Sequence, residues 1–231
     1  MTFEYMNMIN KKTLCFLACF ILLPAASHAI SFNSGTDFNA HYQSYKTDWL
    51  YTDNSIQRTS ISHLGIGWTE TLSEYLNGGL KAGYLDVTQA NNPLSTARIT
   101  EGHYFGIHLN SIPVNIEWFR LLIGIGYTYN NTDKQEPGQN IEMIWHQTVL
   151  NAQATFQLIP RLSFTLGAKL TWIDGEERAT GTLTQIRTFE QNKLQGHYAS
   201  IDLATDDTGS IGVSWEGGTH EGLSVYFRRQ F

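Results

Sequence analysis

The sequence has almost no cysteine, little proline, a modest charge content and, beyond residue 23, no long apolar run. Cys15 and Cys19 are its only cysteines and both fall within the first 29 residues. The chain beyond residue 29 therefore has no disulfide scaffold, no thiolate metal site and no cysteine nucleophile. No later stretch approaches the ~20 apolar residues that a membrane-crossing helix requires, and sustained 3.6-residue periodicity is scarce. CxxC, HExxH, P-loop and dinucleotide fingerprints are all missing, so no cofactor is expected and no metal or catalytic set is assigned. Charged residues make up 16% of the 231, with 15 Lys and Arg against 21 Asp and Glu. An acidic chain is poorly suited to sequence-independent nucleic-acid binding, which depends on Lys and Arg neutralising phosphates. No nucleic-acid partner is expected.

The N-terminal stretch is built for export. Lys11 and Lys12 precede an apolar core from Leu14 to Leu23, followed by Pro24 and the small-residue tail Ser27-His28-Ala29. This pattern predicts a secretory signal peptide over 1–29, cleaved after Ala29. Lipidation at Cys19 fits poorly, because Phe16-Leu17-Ala18 precede it and the apolar run continues past it. Losing two lysines and one glutamate with the leader makes the formal charge of −6 one unit more negative. Residues 30–231 then form a single domain.

That domain is rich in glycine and aromatics and is patterned with period 2, the mark of strands whose two faces meet different surroundings. Ten strands are predicted, over 36–47, 57–72, 78–89, 97–110, 115–130, 140–158, 162–173, 193–204, 209–216 and 220–231. The clearest is 162–173, with Leu162, Phe164, Leu166, Ala168, Leu170 and Trp172 alternating with Ser163, Thr165, Gly167, Lys169 and Thr171. Asp86 falls on the apolar parity, which places it outside a bilayer or at a bulge. Connections alternate between longer polar ones (48–56, 90–96, 131–139, 174–189) and tight ones (73–77, 111–114, 159–161, 205–208), as in outer-membrane barrels. The last connection, the glycine loop 217–220, is brief. Glycines at 65, 67, 79, 83, 102, 106, 124, 126, 167, 196, 212 and 222 all oppose the apolar stripe. A crowded inner wall explains that, since glycine leaves room for large polar side chains reaching across.

The final stretch, 220–231, alternates Leu223, Val225, Phe227 and Phe231 with Gly222, Ser224, Tyr226, Arg228 and Gln230. It resembles the C-terminal assembly signal of Gram-negative outer-membrane β-barrels. His220, Gly222, Val225, Phe227 and Phe231 fill its polar, glycine, hydrophobic and terminal aromatic places. Arg229 breaks the stripe, as a residue at the membrane boundary would. The resemblance implies an all-β fold: a single antiparallel transmembrane β-barrel of ten strands, eight being the alternative. It also implies residence in the outer membrane among lipid and lipopolysaccharide, and periplasmic chaperones and the barrel assembly machinery as partners during biogenesis.

Lys81, Arg98, His108, Arg120, Lys169, Asp202 and Arg228 carry the inward parity and are the candidate lumen network, with His63 beside them. They predict a hydrogen-bonded polar plug, since buried charges must be paired, and a structural or surface-interaction role for the protein. Two other readings stand beside it, a narrow channel and a lipid-modifying hydrolase. For the hydrolase, histidines do lie near hydroxyls (Ser62-His63, His103-Tyr104, His108 and Ser111), but no catalytic motif accompanies them. Asp206-Asp207 reads as a turn former and Glu176-Glu177 as a solvated charge run. Trp68, Tyr84, Tyr127, Tyr129, Trp172, Trp215 and Phe231 read as interface girdle.

Overall fold

The computed structural model describes residues 35–89 and 99–231; the leader over 1–29 and Arg98 lie outside them. Among the described residues there are eleven strands: β1 (Thr36–Tyr51), β2 (Ile56–Ser73), β3 (Leu76–Gln89), β4 (Ile99–Ile116), β5 (Phe119–Glu136), β6 (Gln139–Ile159), β7 (Leu162–Gly181), β8 (Gln185–Gln191), β9 (Gln195–Ala204), β10 (Gly209–Gly218) and β11 (Glu221–Gln230). All pair antiparallel in one sheet, and β11 closes back on β1 from Asp37↔Gln230 to Lys46↔Glu221. The ring holds the ten expected strands, β1 to β7 followed by β9, β10 and β11. Both termini meet at one end, where Phe231 N–H donates to Thr36 O at 2.9 Å. The turns at 74–75, 117–118, 160–161 and 205–208 share that end, which in barrels of this kind faces the periplasm.

The eleventh strand changes the barrel's cross-section. β9 pairs with the lower part of β7, up to Leu170↔Gln195, and β8 pairs with the upper part, from Asp174↔Glu190 to Ala179↔Gln185. On its other side β8 bonds directly to β1, at Trp49↔Gln191 through Tyr51↔Phe189. The β10–β11 hairpin is too short to reach this level, so it acts as a wedge in the lower half alone. The barrel thus has ten strands below and eight above. Eight strands enclose a space that side chains fill, whereas ten leave more.

Side-chain parity records the same division. Below, aliphatics such as Leu64, Ile66, Phe105, Ile107, Leu166, Ile201, Val213 and Val225 are exposed on the outer wall. On β7 this belt runs from Leu162 to Trp172, close to the 9–11 residues with which a tilted strand crosses a bilayer. Above it the pattern inverts. Leu85, Val87, Ile141, Met143, Trp145 and Ile173 point inward and are buried, while Asp86, Glu142 and Glu176 point outward. Asp86 pairs regularly with Ser62 and Glu101, so it marks departure from the bilayer and not a bulge.

This inversion corrects several predicted boundaries. Residues 131–139 and 174–189 are largely polar yet continue as strand: β5 and β6 run to a two-residue turn at Pro137-Gly138, where Gly138 adopts φ 81°, and 174–189 holds the top of β7 and most of β8. The predicted 48–56 connection shortens to 52–55. The predicted turn at 111–114 is a register shift inside β4 around Pro113, which has no N–H for the ladder. The chain reverses instead at Glu117-Trp118, so Trp118 belongs to a turn and not to the inner wall of β5. The glycine loop 217–220 is not exposed as a whole: Gly217 and Gly218 complete β10, and Thr219 and His220 are buried.

Candidate functional site

The inner wall is built from glycine seats and the side chains that occupy them. A Cβ on Gly106 would stand 2.7 Å from Lys81 Cε, and one on Gly196 3.2 Å from Lys169 Cε. Gly79 lies under the His108 imidazole, Gly65 under the Tyr104 phenol, Gly167 under Tyr198 and Gly212 under Tyr226. Gly124 accommodates the amides of Asn110 and Asn151. Other inner glycines differ: Gly83, Gly102 and Gly222 abut the backbone of the neighbouring strand, and Gly126 meets only ordinary contacts.

Where ten strands become eight, charged and aromatic groups form a layer. Lys169 Nζ donates to Glu216 Oε2 at 2.6 Å, and His220 Nδ1 lies 3.1 Å from the same ammonium. Tyr45 stacks on His220 at 4.2 Å and presents its edge to His63 at 5.6 Å. His63 packs 4.8 Å from Tyr104, whose hydroxyl lies 2.8 Å from His41 Nε2. The buried turn at Thr219-His220 is held beneath β8, because Thr47 Oγ1 donates to Thr219 O and Gln191 Nε2 donates to Thr47 Oγ1.

Above this layer the interior is filled by an aromatic and aliphatic cluster, with buried polar side chains such as Thr59, Gln89, Asn130 and Thr132 around it. Trp49 is fully buried, stacked on Phe189 at 4.2 Å and edge-on to Trp145 at 5.4 Å. Ile61, Leu85, Val87, Ile141 and Met143 complete the seal. At the roof, Arg187 Nη2 donates to Asp53 Oδ2 and Ser55 Oγ, both at 3.0 Å, and its guanidinium lies 4.0 Å over the Tyr51 ring. Glu177, read from sequence as solvated, is fully buried 3.8 Å from Arg187 Nη1, because it alternates with the outward Glu176. Outside the membrane, the Asp53 carboxyl is held below its ordinary value, chiefly by hydrogen bonds from the Ser55 hydroxyl and N–H.

Below the layer a cavity of about 1030 Å³ is lined by polar side chains that include Lys81, His108, Arg120, Asp202 and Arg228. Tyr226 donates to Asp202 Oδ1 at 2.7 Å, Tyr198 to Gln153 Oε1 at 2.6 Å, and Arg120 Nε to Asn115 Oδ1 at 3.2 Å. His108 Nε2 lies 3.1 Å from Thr69 Oγ1. Lys81, His108, Arg120, Lys169, Asp202 and Arg228 thus all face the interior, but they do not form one plug. All six line the cavity, Lys169 doing so from the mid-level layer that forms its upper wall together with Tyr45, His63, Glu216 and His220. Sequence reasoning passed over His41, Tyr45, Glu216 and His220. Glu216 shares the parity of Gly212 and Ser214, so its inward direction was legible; the tucked turn that places His220 was not.

Alternation along the strands sends neighbouring residues to opposite faces. Ser62 faces out and His63 in; His103 faces out and Tyr104 in. Among the described residues no three His, Asp or Glu side chains are grouped to hold a metal ion. The terminal segment keeps its stripe: Leu223, Val225, Phe227 and Phe231 are on the outer wall, Gly222 is packed against the β1 backbone, and Arg229 reaches Asp206 at 3.6 Å at the periplasmic rim.

No family model and no curated protein matches the chain. Among solved structures it is similar to the COG4313 outer membrane channel from Pseudomonas putida F1 (11% identity, TM-score 0.45, 91% of this chain and 100% of that one). It is likewise similar to the outer membrane protease OmpT from Escherichia coli (6%, 0.49, 90% and 97%) and to Ail, the attachment invasion locus protein of Yersinia pestis (8%, 0.40, 87% and 100%). These likenesses concern fold alone; the closed ring and its apolar outer belt decide the class. The protein is an integral outer-membrane β-barrel. Within this barrel, Trp68, Tyr84, Tyr127, Tyr129, Trp172, Trp215 and Phe231 all lie exposed on the outer wall, as a girdle requires. Tyr127 also pairs with a neighbour there, its hydroxyl 2.6 Å from His146 Nδ1.

Proposed function

We propose that this barrel is a non-conducting envelope protein with a structural or surface-interaction role, performed by the β-collar that it raises above the outer leaflet. The observation that carries this reading is the close-packed cluster of buried side chains around Trp49, Trp145 and Phe189. The buried polar groups at this level, Thr59, Gln89, Thr100 and Thr132 among them, are hydrogen-bonded to one another or to Tyr51, and opening the packing would forfeit the contacts of several fully buried rings. The collar is rigid by construction: β5, β6 and β7 continue their ladders well past the lipid belt, and β8 ties β7 to β1. Its outer face is acidic, with Asp86, Glu101, Asp133 and Glu142 on successive paired positions. This polar, load-stable surface suits contact with the cell's surroundings.

Planar-bilayer recording tests the reading. The purified barrel is expected to insert without producing steady conductance steps. Reproducible ohmic steps would favour the narrow-channel alternative and overturn this one. The hydrolase alternative predicts altered lipid A masses on expression; an unchanged pattern supports the present reading.

A further inference from the structure

The cavity is lined by five cationic side chains, Lys81, Arg120, Arg161, Lys169 and Arg228, against four carboxylates, Asp37, Glu117, Asp202 and Glu216. Lys169 is committed to Glu216, and Asp202 accepts from the Tyr226 and Ser200 hydroxyls. Arg120 has the Asn115 amide, and Arg228 has only the Tyr226 ring, 5.7 Å away. Among the described residues, neither arginine has a carboxylate at ion-pair distance, and Lys81 has no hydrogen-bond or ion-pair partner. All three line the cavity of about 1030 Å³.

The ladder brings two of these cations to one row. Lys81 pairs with Gly67, Gly67 with Asn39, and Asn39 with Arg228. The two long cationic side chains therefore flank a stretch of wall made of a glycine and one asparagine, whose amide lies over that glycine. Lys81 leans over Gly106 and the Arg228 guanidinium lies toward Tyr226, so the two cations border the open wall on either side without filling it. Low-dielectric walls focus the field of such cations on whatever enters the cavity. The cavity's size lies near the upper end of small-molecule sites, commonly about 300–1,000 Å³.

We infer that the periplasmic cavity binds a small soluble anion carrying carboxylate or phosphate groups, seated between Lys81 and Arg228 with Arg120 nearer the mouth. Asn110, Asn151 and Tyr198 line the same cavity and supply hydrogen bonds to the neutral part of such a solute. The ring is hydrogen-bonded all the way round at this level, so a lipid phosphate has no side entrance. On the proposed non-conducting reading the site is entered from below and is not a passage, while anion binding itself stands apart from that reading. The inference does not depend on the role of the collar.

Titration calorimetry on the folded, heat-modifiable barrel in detergent tests it, with citrate and pyrophosphate as probes and spermidine as the cationic control. Citrate or pyrophosphate is expected to bind saturably, and the better of the two identifies the preferred acid group. Lys81→Gln and Arg228→Gln should each weaken binding about tenfold or more, the loss of one charge-assisted contact. Arg229→Gln, on the outer wall, should leave it unchanged, and raising the salt should weaken it. Failure of both anions to bind, equal binding by Lys81→Gln while it still migrates as a folded barrel, or a preference for spermidine would overturn the inference.

Discussion

Lys169 Nζ and Glu216 Oε2 stand 2.6 Å apart inside the barrel, joining β7 to β10 across the intervening β9. Both side chains are largely buried, at 8% and 14% exposure, so the pair is exchanged against desolvation and not against bulk solvent. Removing one partner strands the other. Lys169→Met alone, and Glu216→Met alone, should each lower unfolding stability by about 3–5 kcal/mol. The double substitution should recover most of that loss. Urea unfolding followed by tryptophan fluorescence measures all three, and additive losses would deny the coupling.

Gly167 and Tyr198 make a second pair, of shape and not charge. The Tyr198 ring occupies the volume that any side chain at 167 would take. Gly167→Val should cost about 1–3 kcal/mol or block assembly through overpacking, seen as loss of the heat-modifiable band. Combining it with Tyr198→Ala should restore that band, because the ring no longer competes for the space.

The seal predicts a third outcome. Trp49 is fully buried against Phe189 and Trp145. Trp49→Ala should destabilise the barrel by about 3–5 kcal/mol through the cavity it leaves. Thermal unfolding in detergent should show the loss, and the near-ultraviolet dichroism of the stacked rings should fall with it.

The periplasmic turn gives a pH prediction. Asp206 Oδ1 accepts from Thr208 N–H at 2.9 Å, from the Thr208 hydroxyl at 3.0 Å and from Gly209 N–H at 2.8 Å. These bonds, the Thr208 N–H first, hold its carboxyl below the ordinary value of 3.8. A depressed folded-state value means that the carboxylate's contribution is present above that ordinary value and is lost as the pH falls through the lower one. Carboxyl-carbon NMR should therefore show Asp206 titrating below a free aspartate, and Asp206→Asn should abolish the turn's acid-side response.

The lipid-crossing half was legible in the sequence because two signals coincided there: apolar residues on one parity and glycines on the other. Gly167 beside Leu166 and Leu170 shows both. The collar was not legible, because its outer face is polar and its inner face mixes apolar residues with Asn130, Thr132, Glu177 and Arg187, so no apolar stripe marks it. Residues 131–139 and 174–189 therefore looked like loops although most of them lie in β5, β7 and β8. The site was half visible. Lys81 and Lys169 followed from parity, but the layer they bound depends on His220, whose inward direction comes from a tucked turn and a strand, β8, that has no counterpart in the alternating pattern.

The exchange of faces along one strand is the central claim, and spin-label accessibility on β7 tests it most directly. In reconstituted vesicles, a label at Leu166 should be relaxed by oxygen dissolved in lipid and be shielded from a water-soluble nickel complex. A label at Glu176, on the same face ten residues on, should show the opposite. If Leu166 were instead open to the nickel complex, or Glu176 to lipid oxygen, the division into lipid belt and solvated collar would be wrong.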